Sequence, residues 1–311
     1  MSIGIKKNIV RTITESAIDS AWIQWRSLGS LITAPKSARS LVDPEALVLA
    51  SLTLRDHERR LWDVLTSWAV TGSKLLSVQR IKNLTPKYPK PTTDRLAEFA
   101  RIALMEGGDH RWRKLAGAES GPRPRTQELR GPSANGWDPA ALIVRLRLGI
   151  GVGLQADIVA FLLSQKDAWA SSRVIAEATG YSVYAIRRTA DKMAEARFVE
   201  STANKPLEYR ADRAAWRAVL GLEDEVLPWK YWYQVYALVA NLVALSEEGA
   251  LGAGTEYLLS SRLRDFADKH EDAFRLNRIP SLDPRQSAGE KYVAAFEQVA
   301  EGLANWMSES A

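Results

Sequence analysis

The chain reads as a mostly α-helical protein whose strand signals are confined to one short hairpin near its middle. Two observations predict this. Apolar residues recur at spacings of three and four along most of the 311 residues, and capping residues bound the runs. Period-two alternation appears only at Phe198-Val199 and Leu207-Tyr209, on either side of Asn204-Lys205-Pro206. No internal repeat of fixed period is present.

The first helix is expected within residues 1–34, with Ile13, Ala17, Ala21 and Trp25 along one face. Pro35 and the serine-rich stretch after it end that helix. Asp43-Pro44-Glu45 then combines a capping carboxylate, a proline suited to the first helical position and a first-turn acid. Between Glu58 and Thr71, Leu61, Leu65, Trp68 and Ala69 share a face, and Gly72 breaks the run. Ser77 is placed to cap Val78–Leu84, and Thr93-Asp94 to begin the next helix. Residues 117–138 are rich in Gly, Pro and Ser and carry Arg123, Arg125 and Arg130, which reads as a linker or long surface loop. Asp138-Pro139 starts a helix that runs into Gly149, Gly151 and Gly153. Beyond residue 217 three further helices are expected, opened by Pro228, by Gly254-Thr255 and by Ser287. The domain organisation that follows is an N-terminal helical arm (1–40), a helical domain basic toward its end (41–116), the linker (117–138), a central domain (139–217) and an acidic helical domain (218–311).

Within the central domain the order is helix, short helix, tight turn, longer helix and two-strand ribbon. Ile158, Phe161 and Leu162 form the buried stripe of the first helix. Ser171 or Ser172 caps the second, where Val174, Ile175 and Ala178 are expected to face inward. Gly180 supplies the left-handed residue a tight turn requires. Ser182 caps the third helix, whose Val183, Ile186, Ala190 and Met193 are spaced to pack down. The opposite face then presents Tyr184, Arg187, Arg188, Asp191 and Lys192. Arginine suits bidentate contact with guanine O6 and N7, and it pairs well with phosphate.

Residues 154–217 thus resemble the winged helix-turn-helix superfamily of bacterial transcription regulators, in the MarR-like and ArsR-like manner. Ala196-Arg197-Phe198-Val199 follows the basic helix as in that pattern, and the ribbon stands where the wing would be. The resemblance covers about a fifth of the chain. It implies a DNA-reading helix with Tyr181, Ser182, Tyr184, Arg187, Arg188 and Lys192 at contact positions, and a wing contact from Asn204, Lys205 and Arg210. It also implies binding as a homodimer to two half-sites of double-stranded DNA.

Charge distribution agrees with a polyanionic partner. The formal net charge is +5, but the chain carries +12 through Arg217 and −7 after it. Lys82, Lys87, Lys90 and Arg95 add to the basic half. The absence of cysteine excludes disulfides and thiolate chemistry and points to a reducing, cytoplasmic compartment. No stretch is long and apolar enough to span a bilayer, so no membrane partner is expected.

No enzymatic constellation stands out, and no cofactor or metal is expected. The histidines, His57, His110 and His270, are far apart and show no ligand spacing. Arg264 and His270 fit the loose Arg-x(4–6)-His spacing of HEPN-type ribonucleases, a spacing that chance alone supplies about once in such a chain. The glycine clusters at 149–153 and 249–254 lack a phosphate-loop pattern. Trp229, Trp232, Tyr233 and Tyr236 form an aromatic group that reads as core more readily than as a ligand pocket or dimer anchor. The sequence therefore predicts a DNA-binding transcription regulator, not an enzyme, with a protein partner or small-molecule effector as further possibilities for its flanking helices. The competing readings are a regulator-antitoxin or phage-defence operon protein that grips a second polypeptide, and a ribonuclease using Arg264 and His270.

Overall fold

The computed structural model describes residues 2–30, 37–117, 138–203, 205–221, 226–251, 255–281 and 289–311. The described chain is mostly helical, with fifteen α-helices and one small three-stranded antiparallel sheet. The linker residues 118–137, with Arg123, Arg125 and Arg130, lie outside the described residues, as do Asn204 and Ser287.

Helix α1 (Ser2–Ser27) buries Ile13, Ala17, Ala21 and Trp25, the face its spacing predicts. Trp25 Nε1 donates to Ser51 Oγ at 2.9 Å, which satisfies the indole inside the core. Helix α2 (Pro44–Leu54) begins where Asp43 caps the Ala46 amide, and every one of its residues is buried. A helix covered on all sides is a core helix, and α2 is the axis around which the others gather. Helices α3 (Arg60–Thr71), α4 (Val78–Leu84) and α5 (Lys90–Met105) pack around it, and α6 (Arg113–Ala116) closes this half. Ser77 caps α4 as expected. Helix α5 begins at Lys90, three residues before Thr93, because Pro89 is extended and Pro91 suits the first helical turn.

Helices α7 (Leu142–Ile150), α8 (Leu154–Ser164), α9 (Ser172–Thr179) and α10 (Val183–Glu195) form the central unit with the sheet. Strand β1 (Ala170–Ser171) pairs with β3 (Glu208–Arg210), which in turn pairs with β2 (Glu200–Ser201). Tyr209 in the middle of β3 is fully buried and donates to Asp191 of α10 at 2.5 Å. Phe198-Val199 precedes the hairpin rather than forming its strand, since the Phe198 backbone amide turns back to donate to the Met193 carbonyl at 2.9 Å. Helix α11 (Arg213–Leu220) follows and packs Trp216 beside Phe198.

The remaining helices are α12 (Trp232–Glu247), α13 (Glu256–Lys269), α14 (Glu271–Asn277) and α15 (Glu290–Ser310). Helix α12 starts four residues after Pro228, because Trp229 is claimed by Phe161 of the central core and Asn277 accepts from the Tyr231 amide. The long helix expected after Thr255 is two helices, broken at His270.

The segments read as an arm, a basic domain and an acidic domain are not separate bodies. Helices α1–α5 and α12–α15 share one hydrophobic core, with α1 lying along α15 and α12 against α2. Amphipathic faces carry no label saying which other face will cover them, so a boundary at residue 218 drawn from charge does not match the packing. The central unit has its own core, which also takes in Leu41, Val226 and Trp229.

Candidate functional site

A buried ionic cluster fixes the central unit to the helical body. Arg147 of α7 donates to Glu45 of α2 at 2.6 and 3.0 Å and to Asp157 of α8 at 3.0 Å through two nitrogens. Arg80 of α4 pairs with Asp43 and with Glu45 at 2.7 Å, and its Nε donates to the Thr179 carbonyl at 2.6 Å. All five side chains are essentially fully buried. Burial opposes ionisation of Glu45, but Arg147 and Arg80 overcome it and hold the carboxyl at about 2. Burial instead prevails at Asp157 and raises its pKa, against the pull of Arg147. Arg147 and Arg80 stay charged, because the carboxylates outweigh their own desolvation.

This cluster reaches the turn between α9 and α10. Tyr181 donates to Asp157 at 3.1 Å and lies 2.9 Å from Ser77 Oγ. Arg80 places its cation on the last carbonyls of α9, where the helix dipole favours positive charge. Asn83 donates to the Gly180 carbonyl at 3.2 Å, and Tyr233 to the Glu177 carbonyl at 2.6 Å. Gly180 has φ +74°, and a Cβ there would stand 2.8 Å from Leu84. The start of α10 is therefore held by side chains from α4, α8 and α12.

From that anchored turn α10 presents a basic outer face. Ser182 caps it by accepting from the Ala185 amide at 3.2 Å. Ile186, Ala190 and Met193 pack down. Tyr184, Arg187, Arg188 and Lys192 are exposed, and Tyr184 is 75% accessible. None of the three cations makes an ion pair or side-chain hydrogen bond with another described residue. Lys205 is exposed beyond the hairpin.

Several residues named from the sequence sit elsewhere. Tyr181 is buried in the ionic cluster, so it positions the turn and offers no contact to a partner. Arg210 is half-buried, donates to Glu200 at 2.5 and 3.0 Å and lies over the Trp169 ring, which leaves it largely neutralised within the hairpin. Asp191 accepts from Tyr209. Val183 and Val174 are exposed rather than packed, because each stands at the first turn of its helix, away from the unit's core. Arg95 is engaged with Asp56 and with the Leu52 and Thr53 carbonyls. The aromatics Trp229, Trp232, Tyr233 and Tyr236 are buried.

Arg264 lies over the Tyr292 ring, while His270 is buried against Phe266. Burial, with Lys269 and Lys87 nearby, lowers the His270 imidazole to about 4.

Sequence reasoning missed the ionic cluster. The available signals were isolated charges inside apolar runs: Glu45 opening a helix that is otherwise almost wholly apolar, and Arg147 within Leu142–Ile150. Among the described residues no group of three or more His, Asp or Glu is arranged to hold a metal ion, and no helix is long and apolar enough to cross a membrane. No protein-family model matches the chain, and no curated protein or solved structure matches it either. The geometry of the site therefore carries the functional reading alone.

Proposed function

We propose that the central unit is a winged helix-turn-helix module and that the protein is a DNA-binding transcription regulator, with α10 entering the major groove. The observation that carries this is the outer face of α10, where Arg187, Arg188 and Lys192 are exposed and unpaired with described residues behind a clamped turn. A B-form major groove is about 12 Å wide and admits one α-helix. Adjacent guanidinium groups on such a helix suit guanine edges and the flanking phosphates. Ser182 and the first amides of α10 offer further donors to phosphate oxygen. Lys205, exposed beside the hairpin, contributes a backbone contact in this reading. The module acts as a homodimer, with two copies spaced about 34 Å apart to meet successive turns of one duplex.

The test is retention of duplex DNA, both from its own promoter and selected from a random pool. The intact protein is expected to enrich a defined sequence and to bind more weakly as salt rises, since each neutralised phosphate releases counterion. Replacing Arg187 and Arg188 with Ala is expected to abolish that selectivity, each contact being worth about 1–3 kcal/mol. Unchanged affinity and selectivity in the double variant refute the assignment of α10.

A further inference from the structure

The turn that launches α10 is flanked by cations from helices outside the central unit. Along its length α10 borders a groove of about 520 Å³, and the cations among that groove's lining residues, Arg188 and Lys192, come from α10 itself. Around the turn the charge comes from the helical body instead. Lys82 stands on α4 beside Asn83, whose side chain donates to the Gly180 carbonyl at 3.2 Å. Lys87 ends the short turn after α4, and its Nζ lies 5.7 Å from the centre of the Tyr233 ring. The Tyr233 hydroxyl in turn donates to the Glu177 carbonyl of α9 at 2.6 Å. Lys269 closes α13, and Asn241 ties it to Lys87. The Asn241 side chain donates to the Lys87 carbonyl at 2.8 Å and accepts from Lys269 Nζ at 3.4 Å. Burial lowers the His270 imidazole first, and Lys269 and Lys87 lower it further, so both ammonium groups act on one spot.

These lysines have no protein counterpart. None makes an ion pair with another described residue; Lys87 and Lys269 are exposed and Lys82 is half-buried. Glu177 of α9 and Asp272 of α14 are instead both engaged by Arg275, at 3.1 and 2.6 Å. The chain after Arg217 carries a net charge of −7, yet the fold sets its Lys269 beside Lys87 of the basic half. Lysine acts as a point charge without a fixed fork, so it suits phosphate oxygens and reads no base edge. Duplex DNA offers one phosphate charge per about 1.7 Å of axis. A strand that borders the groove beside the first turn of α10 must therefore pass the residues around that turn. Arg80, buried between α4 and the Thr179 carbonyl, holds α4 and the turn as one piece, so the lysines travel with α10.

We infer that Lys82, Lys87 and Lys269 form a second, sequence-blind contact to the phosphates of the duplex, on the flank beyond the first turn of α10. This rests on the DNA reading of α10 and adds the helical body to that interface. In it α10 chooses the sequence, while the lysines supply affinity and fix the angle at which α10 is seated.

The test compares the full chain with its triple variant Lys82→Gln, Lys87→Gln, Lys269→Gln on a duplex that the wild type enriches from a random pool. Affinity is followed across a salt series, and the enrichment is repeated with the variant. Each phosphate contact contributes about 0.9 to the slope of log affinity against log salt, so the variant is expected to lose about 2–3 from that slope. It is expected to bind roughly ten-fold or more weakly at physiological salt and still to enrich the same sequence. Arginine at the three positions is expected to keep the wild-type slope. Protection of the backbone from hydroxyl-radical cleavage is expected on the flank beyond the bases that α10 reads, and to be lost in the glutamine variant. An unchanged slope with unchanged protection overturns the lysine surface and leaves the reading of α10 standing. A slope that falls equally with arginine assigns the loss to structure and overturns it as well. Enrichment of a different sequence by the glutamine variant overturns the sequence-blind role. Failure of the wild type to retain any duplex at low salt removes the reading of α10, and this surface with it.

Discussion

Two pairs of arginines in this molecule behave in opposite ways. Arg80 and Arg147 are fully buried and engage three carboxylates and two carbonyls. Arg187 and Arg188 are exposed on α10 and pair with no described residue. The first pair spends its charge inside the protein and holds a turn in place. The second keeps its charge available to something outside. The difference teaches that a guanidinium becomes structural or functional according to the carboxylates the fold brings to it, since the side chain is the same.

The largest expected effect breaks the buried pair. Arg147→Met leaves Glu45 and Asp157 without their shared cation, and removing one partner of a buried ion pair typically costs about 3–5 kcal/mol. Urea unfolding should show that loss, whereas Arg187→Ala with Arg188→Ala should change stability by only about 0.5 kcal/mol or less each. Equal losses in the two variants would erase the contrast between the pairs.

A second effect tests burial by titration. His270 is lowered from 6.5 to about 4, so the unfolded chain takes up its proton first as pH falls. Stability from this residue is therefore full above pH ~6.5 and declines on acidification toward pH ~4, by up to about 3 kcal/mol. Replacing His270 with Gln should flatten unfolding free energy across that window. The carboxylates of the cluster act elsewhere: Glu45, held at about 2, loses its contribution only as pH falls below ~4.5. Asp157, raised by burial, works in the opposite sense, its contribution shrinking as pH rises through its folded value.

The smallest effect sharpens the link between the two regions. Tyr181→Phe removes one hydroxyl from the cluster, leaves the α10 cations untouched and should cost about 1–2 kcal/mol of stability. If the clamped turn aims α10, this variant should also lose DNA selectivity while keeping its salt dependence. Retained selectivity would show that the turn stays in place without the Tyr181 hydroxyl.

Much of the local structure was legible. Asp43, Ser77 and Ser182 cap the helices they were expected to cap, because a cap is a bond within four residues and needs no distant partner. Gly180 adopts the left-handed turn for the same reason. The exposed basic face of α10 was legible too, since Ile186, Ala190 and Met193 fix which side is down. The errors begin where a distant residue decides the outcome. Tyr181 was read as a contact residue, and Asp157 and Ser77 draw it inside. Arg210 is expected as a wing contact, and Glu200 on the neighbouring strand engages it. Strand β1 is two residues long and exists only because Tyr209 and Glu208 pair with it.

The amino-acid order by itself determined where helices begin, which of their sides turn inward and which middle segment carries a basic ridge. These follow from periodicity and from bonds between near neighbours in the chain. Only the tertiary structure decided that first and last helices share one core, that five ionisable side chains meet where it joins the central unit and that a groove opens beside the ridge. Those outcomes depend on which surfaces come together from separate parts of the sequence, and periodicity specifies a face without specifying its cover.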